Sequence, residues 1–576
     1  GGHRAADRPR PDDGIAHCPI LPRRPNRTMG SAHGRSLPDV GYWPAPGLKE
    51  RRMKISIPAG LLVVCVLGLA AGCGGSSGGG SSAGSSGGAS GAAQHGGSVV
   101  VGWSAEPQSM DKENVFDNQS IWVLEQIMEP LYTVSPNGKS VEPWLAKSYT
   151  LSPDKKTYTF HLRPGVKFSN GKSMTSADVK FSISQTLATG SQGWGYLNSA
   201  IKDIKTPDAA TVVIDTKYPW APFLADIALF ANGIVPNNYG GETAKEFYTH
   251  PIGTGPFMWG HWTHGSEIEL LRNPHYWQKG KPYLDSITFR TVTDTNTRQL
   301  QLQGGQEQID QFPDWQTVNT LKSTPGINMI LFPSTRTDYT MMNERYPPLA
   351  DVHVRRAISL AIDRNAIIKS VLFGHGVAAN SFMPPQVPFY DPKSPGLQYN
   401  LAQAKQEMAQ SKFPKGFTVQ MLVGAGVADE KSIAQIYQQE LAKIGIKVVL
   451  KPVDPSIEFQ DEQQFKYQLG LSYWTMDIAD PDELVTFAVV PSAGAKSFYT
   501  DYNNPDVIKW TQQAEKTFSA SGRQALYSQI QAQAAQDAFM VFMYYSPYRY
   551  ASSNKVHGFL VYPTGNFHME DVWLSH

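Results

Sequence analysis

The sequence predicts an α/β protein with more than one packed core. Three observations carry that reading. The 576 residues are 41% hydrophobic and 11% aromatic, more material than a single hydrophobic core usually gathers. Between residues 401 and 450 the apolar period alternates helix, strand, helix, strand, which is the order of a parallel sheet unit. Earlier, an alternating strand at Thr157–Leu162, an Asn170-Gly171 turn and a capped helix from Thr175 form a compact α+β pattern.

Residues 1–52 are rich in Arg, Pro, Gly and Asp with little apolar periodicity. They cannot build a core and are expected to be disordered, upstream of the true start. Met53-Lys54 then opens a leader pattern, followed by an apolar run over 55–70 and by Ala70-Ala71-Gly72-Cys73. This reads as a signal peptide, too short and too broken by Gly and Pro for a comfortable membrane span. Small residues running into Cys73 resemble the lipobox of bacterial lipoproteins, although Ala70 stands where Leu is commonest. That likeness implies lipidation of Cys73; the plain alternative is a secretory signal with an incidental cysteine. Residues 74–97 are almost pure Gly, Ser and Ala, a flexible tether reaching on the order of 25–30 Å. None of the three cysteines follows Cys73, so the body has neither a disulfide framework nor a thiolate metal site. A formal charge of +1, from 51 basic and 50 acidic residues, gives no reason to expect nucleic acid.

The body opens with an apolar strand at Ser98–Trp103 and a turn at Glu106-Pro107. Helical spacing follows over 121–131, where Ile121, Leu124, Ile127 and Met128 share a face. Val354, Ala357, Ile358 and Ala361 keep the same spacing, and Asp363 can cap a second helix running to Gly374. Asn400 caps a helix over 401–408, and 417–423 is a strand. Ile433, Ile436, Tyr437, Leu441 and Ile444 make one stripe closed by Gly445, and 446–450 is the next strand. The chain then reaches Lys466-Tyr-Gln-Leu-Gly-Leu-Ser-Tyr-Trp474. Here Tyr467, Leu469, Leu471 and Tyr473 alternate as in a half-buried strand. Asp480-Pro481-Asp482-Glu483 reads as a helix start, with Asp480 as N-cap, Pro481 first and Glu483 three residues after the cap. That leaves Asp477 beside Trp474. A carboxylate there is costly to bury without a partner, and a ligand ammonium would be a good one. The bland alternative is a solvated turn residue. A calcium loop fits less well, since D-x-x-D-x-D lacks the required spacing and glycine.

Catalytic patterns are missing. There is no G-x-S-x-G, no H-E-x-x-H and no G-x-x-x-x-G-K-[ST]. Fourteen histidines are scattered, and His261, His264 and His375 lack carboxylates at ligand spacing. We expect no metal, no cofactor and no enzyme activity.

Trp474-Thr-Met-Asp477-Ile-Ala-Asp480-Pro-Asp482 resembles the W-x-x-D-x-x-D-P-D segment of the family 5 extracytoplasmic solute-binding proteins, the peptide, dipeptide and nickel receptors of ABC importers. Ser152-Pro-Asp-Lys-Lys-Thr-Tyr-Thr-Phe160 through Val166-Lys-Phe168, and Thr175-Ser-Ala-Asp-Val-Lys-Phe-Ser182, match the stretch by which that family is most readily recognised. Gly253-Thr-Gly-Pro-Phe257, Leu271-Arg-Asn-Pro-His-Tyr-Trp277 and Pro347-Pro-Leu-Ala-Asp-Val-His-Val-Arg-Arg-Ala357 fit further signatures. The likeness runs from Ser98 to the C-terminus.

The resemblance implies a two-lobed periplasmic-binding-protein-like fold with an extra subdomain, its lobes joined by hinge strands. Lobe I would combine 98–135, 252–335 and 541–576; the extra subdomain would be 136–251 and lobe II 336–540. It implies lobe closure on a ligand, delivery to permease and ATPase subunits, and a monomer held outside the cell membrane through Cys73. In peptide-binding members the Asp matching Asp477 takes the α-amino group and the Trp matching Trp474 lies against the ligand. The strand through Trp474, Thr475 and Met476 would pair with the ligand backbone, facing a first-lobe loop containing Phe116 and Asn118. One departure stands out. Dipeptide receptors place an Arg for the ligand carboxylate in the loop matching 424–428, which here is Gly-Ala-Gly-Val-Ala. Either Arg336 or Arg345 takes that role, or the ligand is longer or has no fixed carboxylate. An oligosaccharide or nickel-chelate receptor is the alternative within the family; a secreted hydrolase or a membrane-partnered sensor is the alternative outside it.

Overall fold

A computed structural model describes residues 93–575 except residue 495. The leader at 53–73 with Cys73, and the tether up to residue 92, lie outside the described residues.

Three sheets organise the body. The first has seven strands in the order Ile327–Phe332, Tyr548–Ser553, Ile309–Gln311, Ser98–Trp103, Ser286–Thr291, Glu267–Arg272 and Phe257–Thr263. Ser98–Trp103 lies between two parallel neighbours and buries Val99, Val101 and Trp103 on one face, while on the other Ser98 is exposed and Val100 half-buried. The second sheet has six strands in the order Val377–Ala378, Met540–Tyr545, Thr337–Met342, Leu469–Trp474, Phe417–Gly424 and Ile446–Val453. The expected helix–strand alternation lies here. Helix Ala428–Ala442 connects the parallel pair 417–424 and 446–453, burying Ile433, Tyr437 and Leu441. The third sheet, of four strands, includes Thr157–Leu162, whose Tyr158, Phe160 and Leu162 point inward while their neighbours stay half-exposed. Helix Ser176–Ala188 follows, opened by the capping box of Thr175 and Asp178.

The chain crosses between the first and second sheets twice, from Phe332 to Thr337 and from Tyr545 to Tyr548. The strand Met540–Tyr545 pairs with Thr337–Met342 in the second sheet. The return to the first sheet thus begins after Tyr545, and not at residue 541 as the sequence suggested. The apolar run 539–545 is buried in both its faces, and such a run does not say which sheet it joins. The two crossings are tied together. Ser334 Oγ donates to the Ser546 carbonyl (2.7 Å) and Ser546 Oγ donates to Asp338 Oδ2 (2.6 Å). Arg336 grips the same Asp338 with Nε and Nη2.

A second junction joins the third sheet to the first. Glu129 is 3% exposed and its carboxylate accepts from the Trp144 and Trp277 indoles, the Tyr276 hydroxyl and Thr254 Oγ1, all within 2.8–3.1 Å. Burial pushes its pKa up to about 7 against the pull of those donors. Replacing Glu129 with Leu leaves three ring donors unpaired and should cost on the order of 3–5 kcal/mol in denaturant unfolding. Glu129→Gln should cost less, because an amide oxygen at the Oε1 position still meets both indoles and the Thr254 hydroxyl can turn to accept. A Leu variant that unfolds at the wild-type midpoint would refute this role.

Glu129 is one of many buried acids. Burial raises Glu125, Glu307, Glu344 and Asp482 to about 7, and Glu458 and Glu483 to about 8. In the folded chain these groups hold protons that the unfolded chain releases near its ordinary carboxylate pKa. Stability changes with pH in proportion to protons bound unfolded minus protons bound folded, so the slope is negative between about pH 5 and 8. His568, raised to about 9 by Glu570 against its own burial, acts in the same sense, its contribution being lost as pH rises through that value. Urea unfolding should therefore show a more stable protein at pH 5.5 than at pH 8; the opposite order would contradict these assignments.

Candidate ligand-binding site

The strand Leu469–Trp474 occupies an unusual place in the second sheet. Along its whole length it pairs antiparallel with Thr337–Met342. On its other side it meets Phe417–Gly424 at one residue pair, Met421 with Leu469, after which the two strands diverge. Past Leu469 that edge has no strand neighbour among the described residues. The gap opens onto two cavities that share Gln119, Phe459, Ser472 and Tyr473 as walls.

The first cavity, of about 210 Å³, lies at the C-terminal end of this strand. It brings together Phe116 and Asn118 from one side with Trp474, Thr475 and Asp477 from the other, and adds Trp194, Phe498 and Tyr499. Phe116 stacks on Trp194 with ring centres 4.9 Å apart. Asp117 caps helix Asn118–Ile127 through Ser120 N–H, which sets Asn118 at the rim, where its Oδ1 accepts from Thr475 Oγ1 at 3.4 Å. Phe498 and Tyr499 hold φ of +45° and +60°, a left-handed conformation that is costly for aromatic residues and turns both rings into the cavity wall.

Glu483 shapes the turn that carries Asp477. Its Oε2 accepts the backbone N–H groups of Asp477 (2.9 Å) and Ile478 (3.2 Å), and its Oε1 accepts the Trp474 indole (3.1 Å). This corrects the expected capping box. The helix runs Asp482–Val489, Asp480 accepts from Asp482 N–H while gripped by Arg523 at 2.5 and 2.8 Å, and Glu483 reaches back beyond Asp480 to the turn. Asp477 itself is 6% exposed, and its carboxylate meets no donor among the described residues. Burial first, then the Glu483 and Glu125 carboxylates, push its pKa well above the usual carboxylate range. It is a buried acid facing a cavity without a partner.

Met476 does not line this cavity. Its side chain is fully buried in the main core, and its backbone N–H and carbonyl are both engaged by Thr335 Oγ1 (3.1 and 3.2 Å). A strand that is about to turn cannot keep every residue on its open edge.

The second cavity, of about 420 Å³, lies between the unpaired edge and the hinge. Arg336 and Arg549 both line it. Arg336 is held by Asp338 and lies 3.7 Å over Tyr473. Arg345 is elsewhere, exposed, paired with Asp501 and lying on Phe465. Arg549 has a different standing. Its Nε donates to the Pro313 carbonyl (2.6 Å) and its guanidinium lies 3.8 Å over Trp315, yet no carboxylate comes within ion-pair distance among the described residues. Burial, with Arg336 nearby, lowers its pKa to about 10. Sequence reading passed over Arg549, although one cation inside the apolar run Tyr548-Arg549-Tyr550 was a visible signal. Trp194 and Tyr499 sit in irregular segments and gave no such signal.

Of the two arginines in the Pro347–Ala357 signature, Arg355 pairs with Glu344 at 3.1 Å, buried, and Arg356 donates to the Gln536 carbonyl. His261 and His264 each meet one carboxylate, Glu269 and Glu106, and His375 stacks on Trp315. No group of three metal-ligating side chains occurs among the described residues.

The chain is similar to known proteins over most of its length. The glutathione-binding protein GsiB of Pectobacterium atrosepticum is 28% identical over 475 residues, 81% of this chain and 92% of that protein. The periplasmic binding protein DppA of Helicobacter pylori, solved with the peptide STSA, superposes with a TM-score of 0.78 at 27% identity, covering 84% of this chain and 99% of that one. The binding protein AgaA of A. tumefaciens R10, solved with agropinic acid, gives a TM-score of 0.77 at 27% identity, covering 83% and 99%. The family model "bacterial extracellular solute-binding proteins, family 5 middle" matches residues 140–495. The fold is that of the periplasmic binding proteins, with two lobes and an extra subdomain. The chain belongs to the family 5 bacterial extracellular solute-binding proteins, the non-enzymatic receptors of ABC importers.

Proposed function

We propose that this receptor captures peptides with a free N-terminus, whose ammonium group pairs with Asp477 in the first cavity. The observation that carries the reading is the Asp477 carboxylate, buried on the cavity wall with no donor of its own. Burial without a partner disfavours the ionised form of this carboxyl, and a ligand cation beside it would stabilise that form. Trp474 and Phe116 supply aromatic walls, and the open edge of Leu469–Trp474 offers backbone groups to an extended ligand. Named ligands among the relatives, glutathione and STSA, are peptides. Arg549, the guanidinium left without a carboxylate, takes the ligand's C-terminal carboxylate, which the Gly-Ala-Gly-Val-Ala loop at 424–428 does not. Lipidation of Cys73 and a Gly/Ser tether would hold the receptor beside its permease; the run of small residues into Cys73 supports that arrangement.

Calorimetric titration of the full chain with defined di-, tri- and tetrapeptides tests the amino anchor. Asp477→Asn should weaken binding by about a hundredfold or more, and N-acetylation of the peptide should weaken wild type about equally. Undiminished binding by the variant would remove Asp477 from the site. The carboxylate anchor is separable: amidating the peptide C-terminus should cost wild type about tenfold and cost Arg549→Met almost nothing. An amide penalty that survives in Arg549→Met would assign the carboxylate elsewhere.

A further inference from the structure

The wall of the second cavity opposite the arginines is acidic. Glu430 comes from the first turn of helix Ala428–Ala442, and Glu458 and Glu462 stand four residues apart, on one face of helix Pro455–Gln463. Glu458 and Glu462 are 6% and 3% exposed. Glu430 Oε2 accepts Gly424 N–H at 2.7 Å, and burial followed by the neighbouring Glu430 carboxylate pushes the Glu458 pKa up to about 8. Oε1 of Glu458 and Oε1 of Glu462 meet no donor. No Lys or Arg lies within ion-pair distance of the three among the described residues.

The fold accounts for only one of these carboxylates, Glu430, which receives a backbone N–H. For the other two it instead gives up volume. A Cβ on Gly424 would come within 2.9–3.0 Å of Glu430 and Glu458 oxygens, and one on Gly470 within 2.7 Å of Glu462 Oε1. Glycine stands where the acids crowd the strands. Ile433 and Leu471 line the same cavity and suit the aliphatic stem of a long basic side chain. We propose that this wall is a subsite for a basic side chain of the ligand, an ε-ammonium or a guanidinium, and that it makes the receptor prefer lysine- or arginine-bearing peptides. The inference rests on the peptide reading above and departs from the relatives named for glutathione, which carries no basic side chain.

The test is calorimetry on the full chain with Ala-Ala-Ala derivatives carrying lysine, acetyl-lysine, norleucine or glutamate at each position in turn, on wild type and on Glu458→Gln/Glu462→Gln. At one position lysine should bind at least about tenfold tighter than norleucine or acetyl-lysine, with glutamate weakest. The double variant should lose that advantage while keeping norleucine-peptide affinity, which also shows that it is folded. Equal affinity for the lysine and norleucine peptides at every position, or an advantage that persists in the double variant, overturns the subsite. If no peptide of the series binds wild type, the peptide reading fails and the subsite falls with it.

Discussion

Both crossings between the large sheets end on one carboxylate, Asp338. It takes the Ser546 hydroxyl from one crossing and the Arg336 guanidinium from the other, while Ser334 donates across to the Ser546 carbonyl. A hinge of two short strands would otherwise leave backbone and side-chain polar groups loose at the point of bending. The same few residues reach the ligand turn, because Thr335 Oγ1 bonds both the N–H and the carbonyl of Met476. Any rotation about the crossings therefore carries the Asp477 turn with it. Asp338 holds Arg336 through Nε and Nη2, whereas Arg549 has no carboxylate within ion-pair distance among the described residues.

The buried acids of this chain divide by what meets them. Glu129 has four side-chain donors, Glu483 has two backbone N–H groups and an indole, and Asp480 has a bidentate arginine. Each holds together segments that are far apart or about to diverge, and removing it would strand several donors at once. Asp477, Glu458 and Glu462 line cavities, and among the described residues no donor meets the Asp477 carboxylate or Oε1 of Glu458 and of Glu462. Burial alone separates neither group from the other. The discriminating quantity is the number of donors within reach.

Much of the fold was legible because its signals are local. Alternation at Thr157–Leu162, the Asn400 and Asp363 caps and the apolar stripe of helix Ala428–Ala442 all depend on spacings of a few residues, and the structure shows each of them. Asp477 stood out because the surrounding acids had local explanations and it had none. Those explanations were themselves partly mistaken: Glu483 bonds the turn behind it instead of capping its own helix, a choice set by the Trp474 indole approaching from the preceding strand. Met476 lies outside the first cavity's lining, its backbone bonded by Thr335, 141 positions away. Arg549 and the pair Glu458 and Glu462 meet in one cavity only through the second crossing and the divergence of two strands. Neither is a local pattern.

With the two anchors proposed above, the order of groups along the cleft would set a direction for the ligand. Asp477 lies beyond the C-terminal end of the central strand, and the second cavity lies back along its unpaired edge beside Leu471 and Ser472. A peptide with its ammonium on Asp477 and its carboxylate on Arg549 then runs antiparallel to Leu469–Trp474, the geometry in which directly opposed residues exchange paired hydrogen bonds. Such an arrangement is demanding at its first residue. The first cavity contains no Lys, Arg or His among its lining residues, and Glu483 and Glu125 already crowd Asp477 electrostatically. An ordinary N-terminus brings one positive charge into that field. A γ-glutamyl N-terminus, as in glutathione, brings an α-carboxylate on the same carbon as the ammonium, and that second charge would have to be buried among acids with no cation to meet it. Likeness at 28% identity to a glutathione-binding protein goes with a shared fold; the acids around Asp477 argue against extending it to the ligand.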